Sequence, residues 1–210
     1  MYIHVEAHQD DAEYSSLTAE LRNAIEAVMI EFWKRKFAQI PEEVSDFVNN
    51  EVMFGPDVKK AFPDAGDDLK EAGNCIAIDS GTAAVFHLMR AVEWSLRGLC
   101  ADLGVVRVRR SYTHKQKYTA IAWVQWERML EEVHKRIDRK VDKLGPGKRK
   151  QELQEFYYPL MQDYKGFKDA FRNHVTHGRA TYTQKAASDI CDHVGRFMKA
   201  LAPKLAKSKP

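Results

Sequence analysis

The sequence predicts an all-α protein, an antiparallel bundle of four to five long helices. Three observations lead to this prediction. Apolar residues recur at three- and four-residue steps through nearly the whole chain, and short connections separate the segments that carry them. The third observation is size, because 210 residues, 44% of them hydrophobic, can enclose one core of ordinary dimensions.

The first predicted helix follows Ser15 and Ser16, which are suitable N-cap residues. One apolar stripe marks this helix, formed by Leu17, Leu21, Ile25, Val28 and Phe32. It is expected to end before Pro41, since proline interrupts helical hydrogen bonding, and residues 41–62 are expected to form short pieces. We assign residues 1–54 to an acidic N-terminal helical extension.

The bundle itself is predicted over residues 55–203. A polar helix is expected from Pro63 to about Ala77, and the clearest helix of the chain begins near Gly81. Its apolar face consists of Val85, Leu88, Met89, Val92, Leu96, Leu99 and Leu103. Gly104 is expected to end it, because glycine readily adopts the left-handed conformation that closes helices.

Three further helices complete the predicted bundle. The stripe of the first is Trp126, Leu130, Val133, Ile137, Val141 and Leu144, and Gly145-Pro146-Gly147 turns the chain after it. The second carries Leu153, Phe156, Tyr157, Leu160, Tyr164 and Phe167, with a kink expected at Pro159. Thr183 caps the third, whose face is Ala187, Ile190, Val194, Phe197 and Leu201. Residues 204–210 are predicted to form a basic flexible tail.

The aromatic residues and cysteines indicate ordinary burial in a reducing compartment. Trp94, Trp123 and Trp126 are expected to be core or interface anchors; the alternative is that aromatic rings near the basic stretch stack on bases, and the core is favoured. The three cysteines are odd in number and far apart, which predicts free thiols. The chain begins without a signal-like segment and contains no apolar run of roughly 20 residues. These features predict a soluble cytoplasmic protein with no membrane partner.

Charge is distributed unevenly along the chain. Residues 1–104 hold 9 basic and 19 acidic side chains, whereas residues 105–150 hold 14 basic against 5 acidic. Such a contrast can mark a surface that binds a polyanion such as RNA. The candidate RNA-binding residues are Arg107, Arg109, Arg110, Lys115, Lys117 and Arg179. The alternative is a solvated helix, because pairs such as Glu131/Lys135 are four residues apart and can neutralise each other.

The segment Phe171-Arg172-Asn173-His174-Val175-Thr176-His177-Gly178 combines a fixed cation, an amide and two imidazoles. Arginine can bind a phosphate with two hydrogen bonds, and a histidine near neutral pH can accept and donate a proton. Arg172, Asn173 and His177 are therefore candidate catalytic residues for RNA cleavage. On an ideal helix Asn173 and His177 lie about 40° apart, but Arg172 and His177 about 140° apart. Arg172 joins the other two if its long side chain wraps round the helix, if His177 sits where the helix unwinds at Gly178, or if a second subunit completes the site.

The alternative for this segment is structural, with the same side chains tying a helix end to its neighbour through polar contacts. Metal sites are weaker candidates. His174 and His177 could share a metal, and Glu131 and His134 have the spacing of di-iron bundles, but neither pair has the remaining ligands. No metal and no cofactor are therefore predicted. His87 is expected to be a contact between helices.

Arg172-Asn173 followed by His177, late in an all-helical bundle, resembles the HEPN superfamily. Two flanking stretches resemble an uncharacterised bacterial branch of it, residues 72–75 leading to 83–93 and residues 168–173 leading to 180–183. The resemblance spans about residues 55–203.

Catalytic members of that superfamily are metal-independent endoribonucleases of host defence and toxin–antitoxin systems, usually homodimers whose two Arg/His motifs form one site. The resemblance implies that Arg172 contacts the phosphate, Asn173 positions it and His177 transfers protons. It also implies RNA, a second copy of the chain and an antitoxin protein as partners. The alternative function is a non-catalytic helical module that binds protein or RNA and uses the Arg/His pair structurally.

Overall fold

The computed structural model describes residues 3–109, 118–178 and 180–206, and describes side chains within 13–109, 118–178 and 180–205. The chain divides into two compact units, Met1–Gln39 and Ile40–Pro210.

The first unit consists mainly of one helix, α1 (Ile3–Trp33). It begins earlier than predicted, so Ser15 and Ser16 lie inside the helix and the prediction that they cap it is wrong. A helix interior accepts such hydroxyl residues, because their side chains can bond to carbonyls of the preceding turn. Thr18 shows this pattern, since its Oγ1 donates to the carbonyl of Tyr14 at 2.6 Å.

The second unit is an all-α bundle, as predicted. Its helices are α2 (Glu42–Ser45), α3 (Pro56–Ala61), α4 (Gly66–Ala77), α5 (Gly81–Asp102), α6 (Trp126–Asp142), α7 (Lys148–Phe167), α8 (Asn173–Thr176) and α9 (Gln184–Ala206). Short 3₁₀ turns occupy Pro63–Ala65 and Ile121–Trp123, and a π-helical turn occupies Lys168–Arg172. An antiparallel hairpin pairs β1 (Arg107–Arg109) with β2 (Tyr118–Ala120).

The core of the second unit forms around α5. This helix packs against α4 and α9 and also contacts α6 and α7. Six of the seven residues of its predicted apolar face are buried, and Leu103 at its end is half-buried. Tyr164 of α7 places its hydroxyl 2.9 Å from the hydroxyl of Ser95 on α5. Burial raises the pKa of Tyr164, so the hydroxyl stays protonated and this buried hydrogen bond persists.

The limits of the bundle differ from the predicted ones at both ends. Residues 40–54, predicted as part of the extension, belong to the second unit, and Phe54 there is buried in the core. At the other end α9 continues to Ala206. Leu205 is buried, so the prediction of a flexible tail is wrong for residues 204–206, because an apolar side chain holds the last turn on the core. Residues 207–210 lie outside the described part of the chain.

The first residue of α5, Gly81, lies against the backbone of Tyr182 and Thr183. A Cβ at Gly81 would sit 2.6 Å from the carbonyl oxygen of Thr183 and would also meet that of Tyr182. The backbone N–H of Tyr182 donates to the side chain of Thr82 at 2.9 Å. Gly81 therefore allows the segment after α8 to lie directly on the start of α5.

Gly81→Ala is expected to lower the free energy of unfolding by about 1–3 kcal/mol, because a rigid backbone must move to admit the methyl group. Denaturant titration of the full chain measures this change. Gly166→Ala is the matched control, since a Cβ there meets no atom within 4 Å. That variant is expected to be more stable by roughly 0.5–1 kcal/mol, as alanine favours a helix interior over glycine. Equal stability of the two variants would contradict the close approach at Gly81.

Candidate active site

The predicted motif begins where regular α-helical geometry is interrupted. After α7 the chain makes the π turn Lys168–Arg172, in which the backbone N–H of Asn173 donates to the carbonyl of Lys168, five residues earlier. Such turns contain one more residue than an α-helical turn and recur at functional sites. From Arg172 onward the backbone returns to α-helical dihedral angles, with φ −59° and ψ −47° at Arg172 and φ −65° and ψ −35° at Asn173, so the π turn rotates the motif relative to α7.

The motif ends where the helix ends. His177 has φ −102° and ψ 11°, outside the helical range, and its backbone N–H donates to the carbonyl of Asn173 at 3.3 Å. Gly178 follows with φ +61°, a left-handed conformation that glycine adopts without strain. The helix therefore unwinds at Gly178, which is one of the conditions under which Arg172 and His177 can share a site.

Aromatic packing fixes the inward side of the motif. The ring of Phe171 lies 6.4 Å from the ring of Phe167 and 6.4 Å from that of Tyr182. Phe167 in turn packs on Phe197 of α9, with ring centroids 5.1 Å apart. The inward face is therefore anchored in the core, and this anchoring holds the neighbouring polar residues in place.

Arg172 is seated on the ring of Trp126, the first residue of α6. Its guanidinium carbon lies 5.7 Å from the ring centroid, an arrangement that attracts a cation to the face of the indole. The indole is itself fixed, because it is buried and its Nε1 donates to Glu93 at 2.6 Å. Within the described residues no carboxylate pairs with Arg172. Within the same residues its guanidinium donates no hydrogen bond either, so its N–H groups can bind an anion.

Asn173 is half-buried and His177 is exposed. In the part of the chain that the structure describes, neither side chain makes a hydrogen bond or an ion pair. The structural alternative expects polar contacts from the motif to a neighbouring helix. Among the described residues Arg172 makes one such contact, with the ring of Trp126, whereas Asn173 and His177 make none. The backbone thus brings Arg172, Asn173 and His177 into one short segment, while no contact joins their side chains to one another.

Lys168, at the start of the π turn, was not predicted from the sequence as a site residue. Its side chain is almost fully buried and pairs with Glu127 of α6 and, at 3.3 Å, with Asp169. The hydrogen bond with Glu127 holds the pKa of Lys168 above its ordinary value, so the ammonium keeps its charge. Glu127 follows Trp126 directly, so this ion pair ties the π turn to the turn of α6 on which Arg172 rests. An isolated lysine in a helical pattern gives no sequence signal for this role.

Two of the six candidate RNA-binding residues, Arg107 and Arg109, are described, and both are exposed on β1. Arg110, Lys115, Lys117 and Arg179 lie outside the described residues. Nη2 of Arg128 donates to the carbonyl of Arg109 at 3.1 Å, and Arg128 is two residues after Trp126. The basic hairpin and Arg172 are therefore both attached to the first turns of α6.

A groove of about 540 Å³ opens between α6 and α7. Its lining includes Glu127, Glu131 and Asp138 together with Lys165 and Lys168, and none of the three motif residues lines it. Because carboxylates outnumber ammonium groups there, this groove is not a suitable channel for a polyanion. It borders the turn of α6 that supports Arg172 without containing the candidate catalytic groups.

The predicted metal candidates remain separate pairs. His134 lies 3.5 Å from Asp138, an ordinary contact between residues four apart on α6. Over residues 13–109, 118–178 and 180–205, no group of three or more histidine, cysteine, aspartate or glutamate side chains is arranged to hold a metal ion.

Two other predictions can be compared with the structure. His87 of α5 places Nδ1 3.1 Å from the buried carboxylate of Asp68 on α4, so the predicted contact between helices is confirmed. Among the tryptophans, Trp126 is buried as expected and Trp94 is half-buried. The core prediction for Trp123 is wrong, because it lies in a 3₁₀ turn before α6 and is 85% exposed.

None of the helices in the described residues is both long enough and apolar enough to cross a bilayer. Comparison of the chain with protein-family models, with curated proteins and with solved structures gives no match.

Proposed function

We propose that this protein is a metal-independent endoribonuclease of bacterial defence or toxin–antitoxin biology, with Arg172, Asn173 and His177 as its catalytic residues. One observation carries the proposal. An arginine seated on a fixed indole ring and lacking a carboxylate partner among the described residues lies one turn from an exposed histidine, which also lacks a partner there. Polar side chains that lack hydrogen-bond and ion-pair partners among the described residues are available to bind a phosphodiester.

The chemistry requires one proton acceptor and one proton donor. An imidazole takes the proton of a ribose 2′-hydroxyl, whose oxygen then forms a bond to the adjacent phosphorus. The bond from phosphorus to the 5′-oxygen breaks, and an imidazolium protonates that oxygen. The products are a 2′,3′-cyclic phosphate and a 5′-hydroxyl end. Proton transfer of this kind contributes about 10² to 10⁴ in rate.

Each chain supplies one His177, whereas the reaction uses two proton-transfer groups. A homodimer in which two motifs face one phosphodiester provides both, with one imidazole neutral and the other protonated. Arg172 stabilises the charge that develops on the phosphate oxygens, an effect of roughly 10² to 10³ for one well-placed donor. Asn173 positions the same phosphate, and Arg107 and Arg109 extend the contact to neighbouring phosphates.

We expect the purified protein to cleave single-stranded RNA in EDTA and to leave the two ends named above. The test uses an RNA oligonucleotide that is cleaved at one preferred position. A second oligonucleotide of the same sequence carries a single 2′-deoxyribose at that position. The deoxy substrate is expected to resist cleavage at that position, because it lacks the attacking hydroxyl. Cleavage of both substrates at the same rate would contradict the mechanism, and no cleavage of either would contradict the enzyme.

A non-catalytic module that binds RNA or protein is the second candidate. Arg107 and Arg109 are exposed, and α1 carries an exposed apolar face, so surfaces for binding exist apart from the motif. Salt-sensitive RNA binding with no cleavage, unchanged when Arg172 and His177 are replaced, would favour this module.

A further inference from the structure

The helix α1 carries an apolar face that the proposed function does not use. Its members are Tyr14, Leu17, Leu21, Ile25, Val28 and Phe32, whose exposed fractions run from 54% to 72%. Successive members are three or four residues apart, so they follow one side of the helix. A contiguous exposed apolar surface of this kind marks an interaction site, whereas single exposed apolar residues are common.

Charges at the two ends of α1 indicate which partner this face accepts. Residues 1–20 contain five acidic residues and no lysine or arginine. Residues 21–33, the rest of α1, hold one basic and two acidic residues, and the basic run Lys34-Arg35-Lys36 follows directly after the last residue of the helix. Two copies lying in the same direction would place like charges side by side. Two copies lying in opposite directions place the acidic start of each α1 beside the basic run that follows the other.

The apolar face fits the same arrangement. Leu21 and Ile25 lie near its middle, and an aromatic residue, Tyr14 or Phe32, lies near each end. An antiparallel pair therefore sets aromatic rings over aromatic rings and aliphatic side chains over aliphatic side chains. The helix dipoles of such a pair also oppose each other, which adds a small favourable contribution.

We propose that α1 is a self-association helix that pairs antiparallel with the α1 of a second copy of this chain. The pairing is independent of the proposed RNA cleavage. It would, however, raise the local concentration of the second motif that the cleavage mechanism requires.

The first test measures the mass of the full chain in solution by sedimentation equilibrium. The wild type is expected to form a dimer, twice the chain mass of 24.2 kDa. Leu21→Asp is expected to weaken it on the order of 100-fold, since the dimer loses two buried leucine side chains. Asn23→Asp is the matched control, because it adds the same charge two residues away on another side of α1 and should leave the dimer intact.

A monomeric wild type would overturn the proposal, whether its α1 then binds the rest of the chain, a lipid vesicle or another protein. A dimer that Leu21→Asp does not weaken would also overturn it, since the contact would lie elsewhere. Equal weakening by Asn23→Asp would attribute the effect to charge alone and would reject the apolar contact. A monomeric wild type would also remove the second motif that the proposed cleavage uses. An RNA-cleaving dimer that Leu21→Asp leaves intact would overturn only the pairing of α1, and an α1 dimer that does not cleave RNA would overturn only the proposed function.

The second test determines direction by disulfide cross-linking of Thr18→Cys/Met29→Cys in a Cys75→Ser background. The remaining cysteines do not interfere, because burial raises the pKa of both Cys100 and Cys191 to about 12. Peptide mapping is expected to show bonds between position 18 of one copy and position 29 of the other. Those positions lie about 16 Å apart along one helix, so the bond cannot form within a chain. Bonds joining 18 to 18 and 29 to 29 would indicate a parallel pair and contradict the proposal.

Discussion

RNA cleavage is expected to fall by at least about 100-fold in Arg172→Ala and in His177→Ala. Arg172→Ala removes the only fixed cation of the motif, and one such donor to a developing oxyanion accounts for about 10² to 10³ in rate. His177→Ala removes the proton-transfer group, for which roughly 10² to 10⁴ is expected. The measurement is the single-turnover rate in EDTA, with protein in excess over an end-labelled RNA.

Two control variants separate chemistry from fold. His174→Ala removes an imidazole of α8 three residues before His177, and Arg196→Ala removes an exposed guanidinium on α9. Both are expected to cleave at close to the wild-type rate. His177 is exposed, so its replacement should change the free energy of unfolding by less than about 0.5 kcal/mol.

The double variant Arg172→Ala/His177→Ala tests whether the two residues act on one event. Groups that serve a single transition state are not additive, so its rate is expected to be close to that of the slower single variant. Arg172→Lys should cleave RNA faster than Arg172→Ala but more slowly than the wild type, because a lysine keeps the positive charge and cannot make the bidentate hydrogen bonds of a guanidinium. Full activity in either alanine variant would show that cleavage comes from another site or from a contaminating nuclease.

Trp126→Ala is expected to lower the free energy of unfolding by about 3–5 kcal/mol, the range for truncating a large buried aromatic side chain. The indole is 1% exposed and fills the core where α6 begins. Its loss also removes the hydrogen bond to Glu93, which retains Arg97 as a partner at 2.6 Å. Denaturant titration measures the change.

Trp123→Ala is the matched control for this substitution. The two tryptophans are three residues apart, but Trp123 is 85% exposed, so its truncation should change stability by less than about 0.5 kcal/mol. Trp126→Phe keeps most of the buried area and loses the indole N–H, which should cost about 1–2 kcal/mol. Because the ring also supports Arg172, that variant is expected to lose part of its RNA cleavage while staying folded. A similar loss of stability in Trp123→Ala and Trp126→Ala would contradict the placement of both residues.

The helices of the bundle could be predicted because their apolar faces repeat with the helical period. Val85, Val92 and Leu99 lie on one side of a helix whatever the rest of the chain does, and all three are buried. Predictions from residue type alone were less successful. Ser15 and Ser16 were predicted to cap α1, but a residue suited to an N-cap is also tolerated inside a helix. Trp123 was predicted to be buried, but α6 begins only at Trp126, and the position of that helix decides which tryptophan faces the core.

The candidate site was only partly predictable. The sequence showed Arg172, Asn173 and His177 as a group, and Gly178 as the end of the helix. The sequence did not predict the π turn, because a backbone hydrogen bond from Asn173 to Lys168, five residues earlier, does not change the spacing of apolar and polar side chains. The support from Trp126 was also hidden, since 45 residues separate it from Arg172 along the chain.

By itself, therefore, the sequence determined the all-α class, the inward faces of the helices and the location of a cluster of catalytic residue types. These properties depend on spacing within one helix, which the order of residues states directly. Only the tertiary structure decided which cations have partners. Arg90 is paired with Asp68 and Lys168 with Glu127, whereas Arg172 rests on an indole with no carboxylate beside it among the described residues. The physical reason is that an ion pair forms through distance in space, and packing of separate helices sets that distance.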